Sequence, residues 1–132
     1  MSNGSSFKMI QPAGMYQTPS YVHGLLAGNT LYVAGQVAKD ENGELVAPGD
    51  AEGQARHIYE SLRKILAEAG GTFRNVVKVT TFLVDRADSP VVSQVRYEYF
   101  GDYRPPHTGL IVAGLGGPEV KLEVEVIAVL DD

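Results

Sequence analysis

The sequence predicts a single α+β domain in which one sheet carries two helices on the same face. Three observations lead there. Strand-like and helical runs alternate in the order β-β-α-β-α-β-β. Each helical run has one apolar stripe, so each buries one side only. The last apolar run alternates strictly, with Val120, Leu122, Val124, Val126, Ala128 and Leu130 on the side expected to meet the helices. A chain of 132 residues suits one domain of that kind. We read residues 1–132 as one unit, with the Ser/Gly/Asn-rich start, Met1 to Phe7, as a flexible end.

Ser20 to Leu26 and Thr30 to Val37 read as strands joined through Gly28-Asn29, a pair that accepts positive φ in a tight hairpin. Asp40-Glu41-Asn42-Gly43 supplies turn chemistry, and Pro48-Gly49-Asp50 leads into a helix with Asp50 as N-cap. Ala55, Ile58, Tyr59, Leu62, Ile65, Leu66 and Ala69 form its stripe, and Gly70-Gly71 stops it. Asn75 to Asp85 is rich in β-branched residues and reads as a central strand. Ser89 caps a second helix, Pro90 suits its first turn, and Val92, Val95 and Tyr99 form a short stripe. Thr108 to Ala113 and Val120 to Leu130 complete the strands, with Gly114 to Pro118 expected as a hairpin connection between them.

Composition narrows the function. A hydrophobic share of 44% against 20% charged residues excludes high-charge disorder. A net charge of −5 repels phosphate backbones and anionic headgroups, so neither nucleic acid nor a membrane surface is an expected partner. No Cys is present, which removes thiolate chemistry and Cys-based metal sites. No apolar run approaches the roughly 20 residues of a membrane span, and the start lacks the charge and apolar pattern of a secretory signal. A cytoplasmic protein is expected.

The other face of the last strand is mixed, with Lys121, Glu123 and Glu125 followed by Ile127 and Val129. A sheet face that turns apolar halfway along usually finds another subunit. Glu123 and Glu125 point the same way, roughly 7 Å apart. If partly buried by a partner subunit, one of them gains a raised pKa through desolvation and like-charge repulsion and can move a proton near neutral pH. The alternative is a solvated edge. His23, His57 and His107 share no metal-ligand spacing, so no metal site is expected. His107 follows Pro105-Pro106 and opens a strand, where it serves either a pocket or a turn. Gly114-Leu115-Gly116-Gly117 lacks the Lys-Ser/Thr of a phosphate loop, and no Gly-x-Ser-x-Gly elbow occurs. Tyr21 stands out among the tyrosines because it precedes the first hairpin strand, after a Pro-containing loop.

Taken together, Tyr21, Ala27-Gly28-Asn29, Val33-Ala34-Gly35-Gln36, Gly43-Glu44-Leu45-Val46, Gln54-Ala55-Arg56, Val76-Val77-Lys78-Val79-Thr80, Tyr99-Phe100, Pro105 and Glu123-Val124-Glu125 resemble the RidA/YjgF reactive-intermediate deaminases. The resemblance covers nearly all of the chain after residue 20. It implies a chorismate-mutase-like fold assembled as a homotrimer, with the sheets as a central barrel, the helices outside and three clefts between subunits. It also implies hydrolysis of small enamines or imines to a carbonyl compound and ammonia, with no cofactor and no metal. By position, Glu123 matches the acid that handles water, Tyr21 the cleft tyrosine and Gly35 a backbone contact. Gly109 matches a residue whose carbonyl helps to hold the substrate nitrogen.

The chain departs from the family at one charged position. The family's Pro-Ala-Arg-Ser motif, whose Arg clamps a substrate carboxylate, is replaced by Pro105-Pro106-His107-Thr108. Ala34 likewise replaces a Ser. A free His is only roughly one-quarter protonated at neutral pH, so His107 would hold anions better below about pH 6.5, and Arg104 lies three residues upstream. Three functions remain in order: a deaminase of altered substrate preference, a trimeric metabolite-binding or regulatory protein of weak or no activity, and a ribonuclease. The acidic charge counts against the last.

Overall fold

The computed structural model describes residues 7–131. Six strands, β1 (Phe7–Ile10), β2 (Gly24–Ala27), β3 (Thr30–Gln36), β4 (Val76–Leu83), β5 (His107–Ile111) and β6 (Leu122–Val129), form one sheet. Helix α1 (Ala51–Glu68) joins β3 to β4, and α2 (Ser89–Phe100) joins β4 to β5. The spatial order is β1-β2-β3-β6-β4-β5. Every pairing is antiparallel except that of β4 with β5, whose parallel register requires the crossover through α2.

The centre of this sheet is β6, whose alternation sorts the molecule into two faces. Leu122, Val124, Val126 and Ala128 are buried while the residues between them are partly or fully exposed. On the buried side they join Leu31 and Val33 of β3, Val79 of β4, and the stripe of α1 through Ile58, Leu62 and Ile65. α1 lies over β6 and β3, and α2 packs beside α1. An aromatic cluster closes the seam between the helices: Tyr59 stacks on Tyr99 at 5.3 Å, and Phe73 meets Phe100 edge-on at 5.2 Å. The two helices and the α+β class are those expected.

The sequence reading misses one strand and one connection. Residues 1–6 of the start read as flexible lie outside the described residues, and Phe7 begins β1, so the order is β-β-β-α-β-α-β-β. β1 pairs with β2 from Phe7↔Ala27 to Ile10↔Gly24 and buries Ile10 completely. At four residues it is too short for a periodic signal. Gly114 to Pro118 is not a hairpin connection, because β5 and β6 do not pair. It carries the chain from the edge past β4 into the gap between β4 and β3. The expected first hairpin does form, with Gly28 at φ 62° in its turn. Its leading strand begins at Gly24 rather than Ser20, since the His23 N–H is taken by Gln11 Oε1 at 2.6 Å. In α2, Asp88 is the N-cap and Ser89 the first helical residue.

One buried polar side chain ties α1 to the approach of β6. Gln54, fully buried, donates to the carbonyls of Ala47 (2.9 Å) and Glu119 (2.8 Å), and its Oε1 accepts from the Lys121 N–H (2.8 Å). A side chain without those atoms leaves three backbone groups short of partners. Gln54→Leu should therefore lower the unfolding free energy by about 1–3 kcal/mol, read from denaturant midpoints; an unchanged midpoint would mean that water replaces all three bonds.

Candidate functional site

The site is built where β3 breaks its register with β6. Val33 pairs with Val126, but Gln36 pairs with Val124, so the chain bulges at Ala34 and Gly35. Gln36 secures the bulge by donating to the carbonyl of Ala34 at 3.2 Å and to Nδ1 of buried His23 at 3.1 Å. The His23 ring is thereby fixed with its proton on Nε2, which donates to the carbonyl of Tyr16 at 2.6 Å. His23 is thus a structural anchor, and it presents Tyr21, two residues earlier, at the surface.

The bulge makes room for Glu123. This carboxylate lies so close to Gly35 that a Cβ there would overlap Oε2 and sit 2.8 Å from Cδ. Only a glycine leaves the space. Tyr21, Gly35 and Glu123 line one cavity of about 520 Å³ whose other walls include Leu45, Pro48 and Val120. Asp40 shapes the loop at its rim by accepting from the N–H groups of Asn42 (2.9 Å) and Glu44 (3.0 Å). His57 holds the same loop to α1 through the Lys39 carbonyl at 2.7 Å.

The environment of Glu123 favours its neutral form. Desolvation raises its pKa above the ordinary 4.5, and the neighbouring charge of Glu125 raises it further. The pair read from the sequence thus gives one perturbed carboxyl, and partial burial within a single chain is enough. No carboxylate partner or cation pairs with Glu123 among the described residues.

His107 and Gly109 lie elsewhere. Both are on edge strand β5, separated from β6 by β4, and neither lines the Glu123 cavity. His107 stands in register with Val79, whose side chain is in the core, whereas Glu123 occupies the opposite face. Its Nε2 is 3.0 Å from Thr81 Oγ1 and 3.1 Å from Arg96 Nη1. A guanidinium can only donate, so Nε2 is the acceptor and Nδ1 carries the proton. Burial first, then the charges of Arg96 and Lys78, lower the His107 pKa to about 4. The expected gain of charge at about pH 6.5 is therefore corrected: it is displaced down to about pH 4. Arg104 does not stand in for the missing clamp, since it stacks on the Tyr97 ring at 4.3 Å and donates to the Gly101 carbonyl. Arg96 is the residue sequence reading overlooked. Its only signal is a place on α2 next to the stripe residue Val95, one helical turn after Val92.

The family model described as Endoribonuclease L-PSP matches residues 13–130. The chain belongs to this family, the RidA/YjgF proteins. It is 39% identical over 108 residues to the 3-aminoacrylate deaminase RutC of Acinetobacter baylyi, which covers 82% of this chain and 85% of that one. Among solved structures it is similar to RidA from the Antarctic bacterium Psychrobacter sp., with 28% identity, a TM-score of 0.86 and coverage of 93% and 99%. It is also similar to TdcF of E. coli with bound serine, with 29% identity, a TM-score of 0.84 and coverage of 94% and 99%. Within this RidA-family chain no helix among the described residues is long and apolar enough to cross a membrane.

Two outcomes test the geometry. Gly35→Ala should displace the Glu123 carboxylate and cost about 1–3 kcal/mol of stability through overpacking, and carboxyl NMR should show the Glu123 titration moving; an unmoved titration would mean the two do not touch. The second follows from the raised pKa. Folding disfavours the ionised form, so the contribution of Glu123 to stability is complete below about pH 4.5 and lost as pH climbs through its folded value. Glu123→Gln should unfold at higher denaturant than the wild type at pH 7, with the gap closing toward pH 4. A wild type more stable than the variant at pH 7 would contradict the assignment.

Proposed function

We propose that this protein hydrolyses a small enamine or imine and releases ammonia, in clefts formed between three copies of the chain. The observation that carries the reading is the cavity that joins Tyr21 and Gly35 to a desolvated Glu123. An enamine first tautomerises to its imine. Water then adds to the carbon of the protonated imine while the Glu123 carboxylate takes one of its protons, giving a neutral carbinolamine. That proton passes to nitrogen, the C–N bond breaks as the C=O bond forms with the hydroxyl proton returning to Glu123, and ammonia leaves. A carboxyl with a raised pKa serves both transfers, since it is a stronger base when ionised and regains its proton readily. Tyr21 orders the substrate, and Gly35 lets the carboxylate approach it. The name of the Acinetobacter relative, a 3-aminoacrylate deaminase, supports an unsaturated amine of this class.

Assembly is part of the proposal because the predicted groups lie on different faces of one chain. Small-substrate chemistry that uses both Glu123 and the His107–Gly109 strand needs two copies. The open face of the sheet supports such an assembly: Met9, Leu25, Tyr32 and Ile127 form one cross-strand row, and Phe7, Ala27, Thr30 and Val129 the next. Phe7 and Met9 are more than 60% exposed in the single chain, an apolar area that closure around a three-fold axis would cover. The second reading, a trimeric metabolite-binding protein, is favoured by the replacement of the family's clamping Arg with His107.

Ammonia release from freshly generated aminoacrylates tests the chemistry. Wild type should accelerate it, and Glu123→Gln should lower the rate by about 100-fold or more while binding of the keto-acid product persists. Binding without acceleration would select the second reading. Light scattering at micromolar protein should return three times the chain mass of 14.2 kDa; a monomer would remove the clefts.

A further inference from the structure

Helix α1 buries Gln54 and Ser61 beside its aliphatic stripe, and the two are satisfied differently. Gln54 commits its polar atoms to three backbone groups. Ser61, only 6% exposed, has no hydrogen-bond partner among the described residues. Its hydroxyl is not sealed into the core, since the described side-chain atoms that are both sealed and unpartnered belong to Tyr59 and Asp88. It opens instead into a second cavity, of about 130 Å³, between α1 and the bulge of β3. Gln36, 4% exposed, and His23 share that floor with it. Both amide hydrogens of Gln36 are taken, by the Ala34 carbonyl and His23 Nδ1, which leaves its Oε1 without a partner among the described residues. Two deeply buried side chains therefore turn unpaired oxygens toward one small space.

We propose that this annex holds ordered water and supplies it to the imine at Glu123, with Ser61 as the residue that keeps the water in place. The supply role rests on the function proposed above; the hydration of the annex does not. Tyr21, Gly35, Val37 and Lys39 line both cavities, so the two adjoin through shared walls. Gly35 adjoins the Glu123 carboxylate and has no side chain to stand between it and the annex. Hydrolysis consumes one water for each imine, yet a substrate seated over Glu123 displaces bulk solvent from the larger cavity. A neighbouring store removes that conflict. The annex has room for several waters and offers them the polar partners that buried water requires. A hydroxyl that donates and accepts, beside an amide oxygen that accepts, suits a molecule with both roles. Neither group is a base, so the water leaves the annex neutral and gives up its proton only at Glu123. Ser61 is thus a positioning residue, which touches water rather than substrate.

Valine and threonine share a shape and differ by a hydroxyl, so Ser61→Val and Ser61→Thr separate hydration from packing. With freshly generated aminoacrylate, Ser61→Val should lower kcat for ammonia release about tenfold, with KM and the affinity for the keto-acid product unchanged. Ser61→Thr should stay within about twofold of the wild type. High-resolution crystal structures should show water within hydrogen-bond distance of Ser61 Oγ and Gln36 Oε1 in the wild type and none there in Ser61→Val. Equal losses of kcat in the two variants would assign Ser61 to packing and overturn the proposal. So would a wild-type annex without water, or an atom of the keto acid seated between Ser61 and Gln36 in its place. If Ser61→Val does not fold, Ser61→Ala gives the same test without added bulk: its kcat should fall a few-fold at unchanged KM, and an unchanged kcat overturns the proposal. An active wild type matched by its variants removes the supply role and leaves the deaminase reading standing. A wild type that releases no ammonia removes both.

Discussion

Everything in this molecule is arranged around the two-residue period of β6. A central strand has two neighbours and two faces, and here the faces have opposite tasks. One carries Leu122, Val124, Val126 and Ala128 into the core beneath α1. The other carries Glu123 and Glu125, then Ile127 and Val129. Because the period is fixed, neither set can move without the other: a slip by one residue would put two carboxylates into the core and the aliphatic set outside it. The position of Glu123 is thus enforced by burial of its sequence neighbours, and a proton-handling group gains a rigid support without needing contacts of its own.

The perturbation of Glu123 is a matter of space as well as strand register. A regular β3 would fill the position beside it with a side chain, whereas the bulge at Ala34-Gly35 leaves only backbone. That bulge is held by Gln36 and His23, and His23 is in turn held by Gln11 and Tyr16. The segment before β2 therefore acts on the site through two hydrogen-bonded side chains, although Tyr21 alone of that segment reaches the large cavity. At the other edge of the sheet, α2 brings Arg96 to β5. Charge that is absent from the strand's own sequence is supplied from the helix that precedes it.

Periodic features were legible in the sequence and close approaches were not. The stripe of α1, the β2–β3 turn at Gly28 and the two faces of β6 follow from spacing alone, and the structure contains each of them. So does the carboxylate pair, since i and i+2 on a strand must share a side. Strand β1 left no trace because four residues hold too few repeats to count. The role of Gly114 to Pro118 was misread because a glycine-rich link has the same composition whether it turns back on its neighbour or crosses to another gap. Arg96 and His107 are eleven residues apart on different elements, and their contact exists only once α2 has been laid beside β5. The neutral state of His107 comes first from burial and then from the charges of Arg96 and Lys78, all of them products of the fold, so the reading of His107 as a charged clamp could not have been corrected from the sequence.

The insertion of β6 between β3 and β4 also bears on how the chain reaches this arrangement. The β1–β2–β3 meander and the β4–α2–β5 unit are each built from neighbours in sequence, and each can form early. Neither pairs with the other directly; their only shared strand is β6, which follows them both in the chain. Its contacts with β3 close a loop of roughly ninety residues, a slow and entropically costly step. Until that step, β3 and β4 both present open ladders to solvent, and the apolar stripe of α1 lacks the strand it covers. Cooperativity between the two halves is therefore a late event, concentrated in one eight-residue segment, and the carboxylate meets its glycine only when the halves are joined.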